Sequence, residues 1–257
     1  MNLLSLSQKN VLVTGGYGYL GKAICEGLAE AGASVVVLAK SEEKFQTAFA
    51  ESPFKANIHF HTFDISDTDS IRKGFEEVNK QFGKIDVLIN NAFYSKGQSP
   101  EKMSDEDWNY GIDGNLNATY RCIREVIPYL KENGGKIINV SSMYGLISPD
   151  FSIYQDNNFL NPPHYGTAKA GVLQLTRYFA CYLGKDNIQV NAITPGAFPS
   201  EEVQKHKEFI ESLKNKSPLK KIGKPEDLKG AFVLLSSEAS NFITGQNIVI
   251  DGGWTAW

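Results

Sequence analysis

The stretch that decides the fold is Val11–Gly21, which reads VLVTGGYGYLG. It begins like a buried strand and continues into a turn where Gly15 can bend sharply because it has no Cβ. Gly18 would let the backbone approach a pyrophosphate, and Gly21 would let the following helix pack closely on the strand. The N-terminus of that helix offers free N–H groups to an anion. A glycine-rich turn at the first strand-to-helix junction therefore predicts a dinucleotide site.

The rest of the chain alternates short apolar runs with longer amphipathic segments. The predicted strands are Asn10–Thr14, Ser34–Ala39, Asn57–Phe63, Ile85–Ile89, Lys136–Val140, Gln189–Ile193 and Asn247–Ile250. The predicted helices are Tyr19–Ala31, Glu42–Glu51, Asp67–Phe82, Ser104–Glu132, His164–Leu183, Glu201–Lys214 and Pro225–Ser236. Continuous apolar strands separated by helices are typical of a parallel sheet that is covered on both faces. We predict an α/β protein with a Rossmann-type, doubly wound, seven-stranded sheet, forming a single domain over residues 1–257.

Composition limits the classes of partner. The chain of 257 residues has a net charge of -3, so it presents no basic field for a nucleic acid. The widely spaced Cys25, Cys122 and Cys181 form no metal motif and no disulfide framework, which fits a reducing compartment. The N-terminus does not resemble a signal peptide, and no stretch approaches the length of a membrane span. We expect a cytoplasmic protein with a small-molecule substrate, and neither a nucleic acid nor a membrane as partner.

The end of the second predicted strand indicates which dinucleotide binds. An acidic residue there would accept hydrogen bonds from the ribose 2′-hydroxyl of NAD. This chain has Ala39 at that place, followed by Lys40 and Ser41, which could meet a 2′-phosphate by charge and by hydrogen bonding. The pattern favours NADP(H), with NAD(H) as the alternative and with Lys40 as a plain surface lysine in that case.

Four polar residues form a candidate catalytic group. Tyr165 and Lys169 share one face at the start of a predicted helix, and an ammonium nearby would lower the pKa of the phenol. Such a tyrosine can exchange a proton with the oxygen of a carbonyl or alcohol. Ser142 follows the fifth strand, where its hydroxyl could hold that oxygen, and Asn115 interrupts a helical stretch. His164 is interpreted as structural. The alternative for the Tyr165 and Lys169 pair is a tyrosine of the apolar core beside an unrelated surface lysine.

At this point the sequence resembles the short-chain dehydrogenase/reductase family, in its compact form, over essentially the whole chain. The matching motifs are Thr14–Gly21, Asn90-Asn-Ala92, Asn115, Ser142, Tyr165 with Lys169, Pro195-Gly196 and the ending Gly245–Gly253. The resemblance implies that Asn115, Ser142, Tyr165 and Lys169 are a catalytic tetrad. It also implies a homodimer or homotetramer, built through the helix that bears Tyr165 and through the C-terminus.

The resemblance also implies what the remaining motifs contact. Lys169 would hold the nicotinamide ribose, Asn115 would position a water in a proton relay, and Asn91 would lie beside the adenosine ribose. With the glycine turn and the second strand, the expected cofactor contacts are Gly15, Tyr17, Gly18, Tyr19, Leu20, Lys40, Ser41, Asp64, Ile65, Asn91, Ala92, Tyr165, Lys169, Pro195, Gly196 and Phe198. The expected substrate contacts are Ser142, Tyr144, Tyr154 and Tyr165.

The chain departs from the compact family pattern in three ways. Compact members usually have glycine where this chain has Tyr19, so the glycine spacing is similar to that of sugar-nucleotide epimerases and dehydratases. The glycine turn contains no Arg or Lys, although many NADP enzymes of the compact group have one there. Ser142 and Tyr165 lie 23 positions apart, a longer interval than is common in that family.

The longer interval reflects an insertion at residues 148–163, expected near the mouth of the active site. Its Phe151, Tyr154, Gln155, Asp156 and Asn157 offer hydrogen bonds and stacking surfaces suited to a sugar-like substrate. Alternatively, the insertion packs against a neighbouring subunit. Two other functions remain open: an epimerase or dehydratase with tightly bound nicotinamide, and a non-catalytic protein that binds NADP(H).

Overall fold

The computed structural model describes residues 3–97, 99–154 and 159–256. These residues form one sheet of seven strands: β1 (Asn10–Thr14), β2 (Ser34–Ala39), β3 (Ile58–Thr62), β4 (Val87–Asn90), β5 (Gly135–Val140), β6 (Ile188–Pro195) and β7 (Asn247–Ile250). The order across the sheet is β3-β2-β1-β4-β5-β6-β7, and every neighbouring pair is parallel. The predicted doubly wound sheet is confirmed.

Helices cover both faces of this sheet. The described helices are α1 (Tyr19–Glu30), α2 (Glu42–Phe49), α3 (Thr68–Phe82), α4 (Asp105–Ile112), α5 (Ala118–Lys131), α6 (Pro163–Leu183), α7 (Glu201–Gln204), α8 (Lys207–Lys216) and α9 (Lys229–Ser236). Helices α1, α2 and α9 pack in one apolar core, whereas α3, α5 and α6 pack in another. Alternation along β1 explains this, because Val11 and Val13 point into the first core and Leu12 into the second.

The strand order creates the place where a ligand can bind. The chain moves outward from β1 to β3 on one side, then crosses to β4 and moves outward to β7 on the other. The loops after β1 and β4 therefore diverge at the carboxyl end of the sheet and leave a crevice between them. The sequence motifs that follow β1, β2, β4, β5 and β6 all lie at this end.

The predicted helix Ser104–Glu132 is wrong as a single α-helix. Between α4 and α5, Asp113–Asn117 form a turn of π-helix, in which the backbone is locally wider. The side-chain amide of Asn115 donates to the Gly111 carbonyl at 2.9 Å and to the Tyr94 carbonyl at 3.2 Å. A Cβ on Gly114 would collide with that Tyr94 carbonyl, so the loop after β4 presses directly on the turn.

Glu201–Lys214 is also divided, into α7 and α8. His206 has a ψ of 81°, outside the helical range, and it separates the two helices. Ile210 and Leu213 of α8 then pack with Ile153 of the insertion and with Trp254 in a third, smaller apolar cluster. Pro225–Ser236 begins with a 3₁₀ turn, Pro225–Leu228, before α9.

Within the described ranges, no helix has the length and apolar character needed to cross a membrane. The same residues contain no group of three His, Cys, Asp or Glu side chains placed to hold a metal ion. Cys25 and Cys122 are buried free thiols, and Cys181 is an exposed one.

Candidate active site

The glycine turn has the conformation that the sequence predicts. Gly15 has a φ of +65°, which favours glycine, and its N–H donates to the Leu38 carbonyl at 2.8 Å. A Cβ on Gly21 would collide with the Gly15 carbonyl oxygen, so α1 can begin this close to β1 only with glycine there. Helix α1 starts without a side-chain cap and without an acidic residue in its first turn. Its first N–H groups are therefore available to an anion.

Asn91, which follows β4, braces the glycine turn from the other side of the crevice. Its side-chain amide donates to the carbonyls of Thr14 and Gly15 at 3.0 and 3.2 Å. The Thr14 hydroxyl in turn accepts from the backbone N–H groups of Asn91 and Ala92, both at 3.0 Å. Two loops that are far apart in sequence are thereby fixed as one rigid edge of the crevice.

A cavity of about 650 Å³ runs along this crevice. Of the predicted cofactor contacts, its walls contain Gly15, Tyr17, Gly18, Tyr19, Leu20, Lys40, Ile65, Asn91, Ala92, Tyr165, Lys169, Pro195, Gly196 and Phe198. Ser41 and Asp64 stand beside the cavity instead. Ser41 caps α2, and its hydroxyl accepts from the Lys44 N–H at 3.2 Å. A volume of this size suits an extended ligand such as a dinucleotide.

Lys40 lies on the loop after β2 and lines the cavity at the end away from Tyr165. Its ammonium is 2.7 Å from a carboxylate oxygen of Asp64, which follows the neighbouring β3, and 62% of its side chain is exposed. Burial raises the pKa of Asp64, but hydrogen bonds from Lys40 and Ser66 outweigh this, and the pKa is lower than usual. Lys40 thus lines the cavity and is also the partner of a neighbouring acid.

Ser142, Tyr165 and Lys169 come together on the wall of the same cavity. The end of β5 is tied to α6 by two hydrogen bonds: Lys169 Nζ donates to the Val140 carbonyl at 2.9 Å, and Ser141 Oγ donates to the Lys169 carbonyl at 2.9 Å. These bonds set Ser142 opposite Tyr165.

The electrostatics of this group differ from the prediction for Tyr165. Burial raises the pKa of the Tyr165 phenol above its usual value, and a hydrogen bond with Ser142 offsets only part of that. The predicted lowering by Lys169 is therefore wrong for the protein alone. Lys169 is itself buried, which lowers the pKa of its ammonium to about 8. The Lys169 ammonium donates a hydrogen bond to the Val140 carbonyl and lies 5.7 Å from the centre of the Tyr165 ring.

Asn115 is buried behind the cavity wall rather than on it. Its backbone carbonyl accepts from the Thr119 hydroxyl at 2.8 Å. Its side-chain amide nitrogen is used by Gly111 and Tyr94, but the side-chain oxygen is buried without a hydrogen-bond partner. Buried polar atoms of this kind are commonly satisfied by water.

Tyr144 and Tyr154, two of the predicted substrate contacts, meet each other and are not among the residues that line the cavity. Their hydroxyl oxygens are 2.6 Å apart, and burial raises the pKa of both phenols. Tyr154 also packs on Phe209 of α8, with ring centres 5.7 Å apart. The described part of the insertion therefore packs against α8 of its own chain. The polar residues Gln155, Asp156 and Asn157 lie outside the described residues.

Three aromatic residues on the cavity wall were not among the predicted contacts: Phe93, Tyr94 and Tyr110. The Phe93 ring lies 5.9 Å from that of Tyr165, and Lys169 Nζ is 5.4 Å from its centre. The sequence feature that could have indicated these cavity contacts is their position: Phe93 and Tyr94 follow Asn90-Asn-Ala92, and Tyr110 lies on the helix before Asn115. His164, by contrast, is structural as predicted: it is fully buried, with Nε2 2.9 Å from the Lys96 carbonyl oxygen.

Known proteins match this chain over nearly its whole length. A family described as enoyl-(acyl carrier protein) reductase matches residues 19–255. A 3-oxoacyl-[acyl-carrier-protein] reductase from Thermotoga maritima is 33% identical, over 97% of this chain and 99% of its own.

Solved structures match it as well. A short-chain type dehydrogenase/reductase from Mycobacterium marinum superimposes with a TM-score of 0.87 at 30% identity, covering 100% of this chain and 98% of that one. A gluconate 5-dehydrogenase from Burkholderia cenocepacia, in complex with NADP and tartrate, gives a TM-score of 0.87 at 27% identity, with the same two coverages of 100% and 98%.

Proposed function

This chain belongs to the short-chain dehydrogenase/reductase family, and from that premise we propose that it is an NADP(H)-dependent oxidoreductase. It reduces a ketone, or oxidises a secondary alcohol, on a small polar substrate. The observation that carries this proposal is the grouping of Ser142, Tyr165 and Lys169 on a cavity that begins at the glycine turn. The place for the cofactor that would supply the hydride and the group that would donate the proton then share one crevice.

The crevice fits a dinucleotide on its own geometry. The pyrophosphate would lie over Gly15 and Gly18, where N–H groups of α1 are free and side chains are absent. The adenine half would extend toward Ile65 and Lys40, and the nicotinamide half toward Gly196 and Lys169. When bound, the nicotinamide supplies or accepts the hydride.

The residues of the chain supply binding, orientation and the proton. In reduction, the Tyr165 phenol donates its proton to the carbonyl oxygen, and Ser142 donates a hydrogen bond that orients the same oxygen. Burial keeps Tyr165 protonated, which suits the donor role. Lys169 holds the ribose and adds a positive charge, and Asn115 supports a water in the relay.

Replacement of Tyr165 by Phe tests the proposed chemistry. The variant keeps the ring but loses the proton donor, so kcat for carbonyl reduction should fall by roughly 10²- to 10⁴-fold. The Kd for NADPH, measured by calorimetry, should stay within about twofold of wild type. Tyr129→Phe, on α5 and away from the cavity, is the matched control. Full activity of Tyr165→Phe would refute the catalytic proposal and favour a protein that only binds the cofactor.

We propose a preference for NADPH over NADH, resting on Lys40. Its exposed ammonium at the cavity would exchange Asp64 for the 2′-phosphate of the cofactor. NADPH should bind at least about tenfold more tightly than NADH, and Lys40→Met should remove most of that difference. Lys80→Met, an equal loss of charge at the distal end of α3, should not change it. Equal binding of both cofactors by the wild type would disprove the preference.

The substrate is proposed to be a polyhydroxylated compound, such as a sugar acid. One proton of the paired phenols of Tyr144 and Tyr154 is used between them, which leaves the pair one proton to donate to a hydroxyl group of a substrate. The gluconate 5-dehydrogenase neighbour, solved with NADP and tartrate, supports this class. The 3-oxoacyl carrier-protein reductase relative supports the alternative of an acyl chain. Turnover of sugar acids but not of 3-oxoacyl thioesters, with a loss in Tyr154→Phe, would favour the first class.

The epimerase or dehydratase alternative predicts a different cofactor behaviour. Such enzymes keep the nicotinamide bound through the cycle, so it would co-purify and give no net change in NADPH absorbance. Gel filtration of the purified protein, followed by denaturation and assay of any released NAD(P)+ and NAD(P)H, distinguishes the two, since an exchanging oxidoreductase emerges free of cofactor.

We further propose a homodimer or homotetramer in the cytoplasm. Tyr120 of α5 and Tyr178 and Tyr182 of α6 are exposed on one side of the molecule, with the rings of the last two stacked 6.2 Å apart. Free cysteines fit a reducing compartment. Light scattering gives the assembly, and a monomer in solution would refute it.

A further inference from the structure

The loop after β4 is joined by two hydrogen bonds to the π-helical turn Asp113–Asn117 between α4 and α5, called the π-turn below. Asn115 Nδ2 donates to the backbone carbonyl of Tyr94 at 3.2 Å. The hydroxyl of the same tyrosine donates to Asp113, two residues before Asn115, in a short hydrogen bond. Tyr94 therefore holds the π-turn with both its backbone and its side chain, and the orientation of Asn115 depends on both bonds.

Asp113 continues this network toward the other end of the cavity. Arg121 binds both of its carboxylate oxygens, at 2.8 and 3.0 Å, in the paired geometry that gives the strongest such contacts. The same guanidinium donates to the backbone carbonyl of Ile65 from two nitrogens, at 3.1 and 3.3 Å. Ile65 lines the cavity directly after β3, where the adenine half would lie.

The charges of the network are consistent with a fixed arrangement. Hydrogen bonding to Arg121, against the effect of burial, lowers the pKa of Asp113 to about 2, so its carboxylate stays ionised at all working pH values. The Arg121 side chain is 16% exposed and the Asp113 side chain 35% exposed. Burial first, and then the Asp113 carboxylate, raise the pKa of Tyr94, which keeps its phenol protonated as the donor.

We infer that Tyr94, Asp113 and Arg121 are positioning residues that couple the adenine end of the cavity, at Ile65, to Asn115 at the reacting end. The inference rests on the proposed function. Arg121 fixes the Ile65 backbone at the adenine end and the Asp113 carboxylate at the other, and Asp113 with Tyr94 sets the π-turn. None of the three residues needs to touch the reacting atoms.

The first test compares Arg121→Met with a matched arginine variant. Arg72 also binds a carboxylate of α5, Glu125, at 2.9 Å, but it lies on the exposed side of α3 and α5. Arg121→Met should weaken NADPH binding and also lower kcat at saturating cofactor, each by roughly fivefold or more. Arg72→Met should change neither. Identical behaviour of the two variants would overturn the inference.

The second test is a double-mutant cycle between Arg121→Met and Tyr94→Phe. Tyr94→Phe removes only a hydroxyl and so preserves the fold. Both residues act through Asp113, so the losses in kcat should not multiply. The kcat of the double variant should be higher, by roughly threefold or more, than the value calculated by multiplying the two single losses. Losses that multiply would show independent roles and would overturn the coupling.

Wild-type measurements separate this inference from the proposed function. NADPH binding and turnover by the wild type are measured first, and their absence refutes the oxidoreductase proposal itself. Normal wild-type values with unchanged Arg121→Met and Tyr94→Phe variants refute the coupling alone. Arg121→Lys, which keeps the charge but not the paired geometry, should recover only part of the kcat lost in Arg121→Met.

Discussion

Lys169 is a buried ammonium whose described neighbours are a carbonyl oxygen and two aromatic rings. Nζ donates to the Val140 carbonyl and lies 5.4 and 5.7 Å from the ring centres of Phe93 and Tyr165. Faces of aromatic rings attract cations, but they do so less strongly than a carboxylate does. The side chain is 4% exposed, so the cost of burying the charge dominates. Lys169 is therefore the group at the site whose charge changes near neutral pH.

The charge of Lys169 predicts how carbonyl reduction depends on pH. The pKa of Lys169 is lowered to about 8, so the charged form is present below that pH and is lost above it. The pKa of Tyr165 is raised, so this phenol loses its proton at higher pH. We expect kcat/KM for carbonyl reduction to fall as the pH rises through about 8.

Lys136 provides a control for that assignment, because burial also lowers its pKa to about 8, yet it lies at the opposite end of β5. The pH profile of Lys136→Met should keep the alkaline fall. A profile that is flat from pH 7 to 9.5 in the wild type would contradict the role given to Lys169.

At the scale of elements, the junction of β1 and α1 depends on the absence of a side chain at Gly21. We expect Gly21→Ala to push α1 away from the Gly15 carbonyl and to abolish NADPH binding in calorimetry. Gly230 on α9 is the contrasting position, since a Cβ there meets nothing within 4 Å. Gly230→Ala should bind NADPH normally and should gain about 0.5–1 kcal/mol in free energy of unfolding. Tight binding by Gly21→Ala would contradict this account of the turn.

The elements could be predicted from sequence where local pattern determines them. The limits of β1, β2 and β7 agree with the continuous apolar runs that predicted them. The π-turn at Asp113–Asn117 could not be predicted in this way. It depends on Tyr94, about twenty residues earlier, whose carbonyl meets Gly114 and Asn115 only in the folded chain.

The same distinction applies to the site. Residues that follow strands could be assigned because the carboxyl ends of parallel strands share one edge of the sheet. The Lys40–Asp64 ion pair was not foreseen, since it depends on the pairing of β2 with β3. Phe93 and Tyr94 were missed because aromatic residues near a strand are more often part of a core than of a ligand site.

For the fold as a unit, Lys136 links β5 to β6 and to the segment before β7, at the end of the sheet opposite the cavity. Its ammonium donates to Gln189 of β6 and to Ser240 and Asn241 of the segment before β7, at 3.0–3.1 Å. All three partners are neutral, so burial lowers the pKa of the lysine to about 8. An unfolded lysine titrates near 10.4.

Stability should therefore depend on pH through this residue. Between about pH 8 and pH 10.4 the unfolded chain binds more protons at Lys136 than the folded chain does, so its contribution to stability rises with pH. Urea unfolding at pH 7.5 and pH 10 should show the wild type gaining, relative to Lys136→Met, on the order of 1–2 kcal/mol, which allows for screening by solvent. An unchanged difference between the two proteins at the two pH values would contradict the lowered pKa.

The central position of β1 has a consequence for how the molecule assembles. Strand β1 pairs with β4, and the turn that follows β1 is braced by Asn91, so residues about 75 positions apart must meet before the turn is complete. Contacts of such long sequence separation form slowly, because a large loop of chain must first be closed. The glycine turn, although it lies near the start of the chain, is thus incomplete until β4 has docked beside β1. During refolding, the ability to bind a dinucleotide would arise only with that docking.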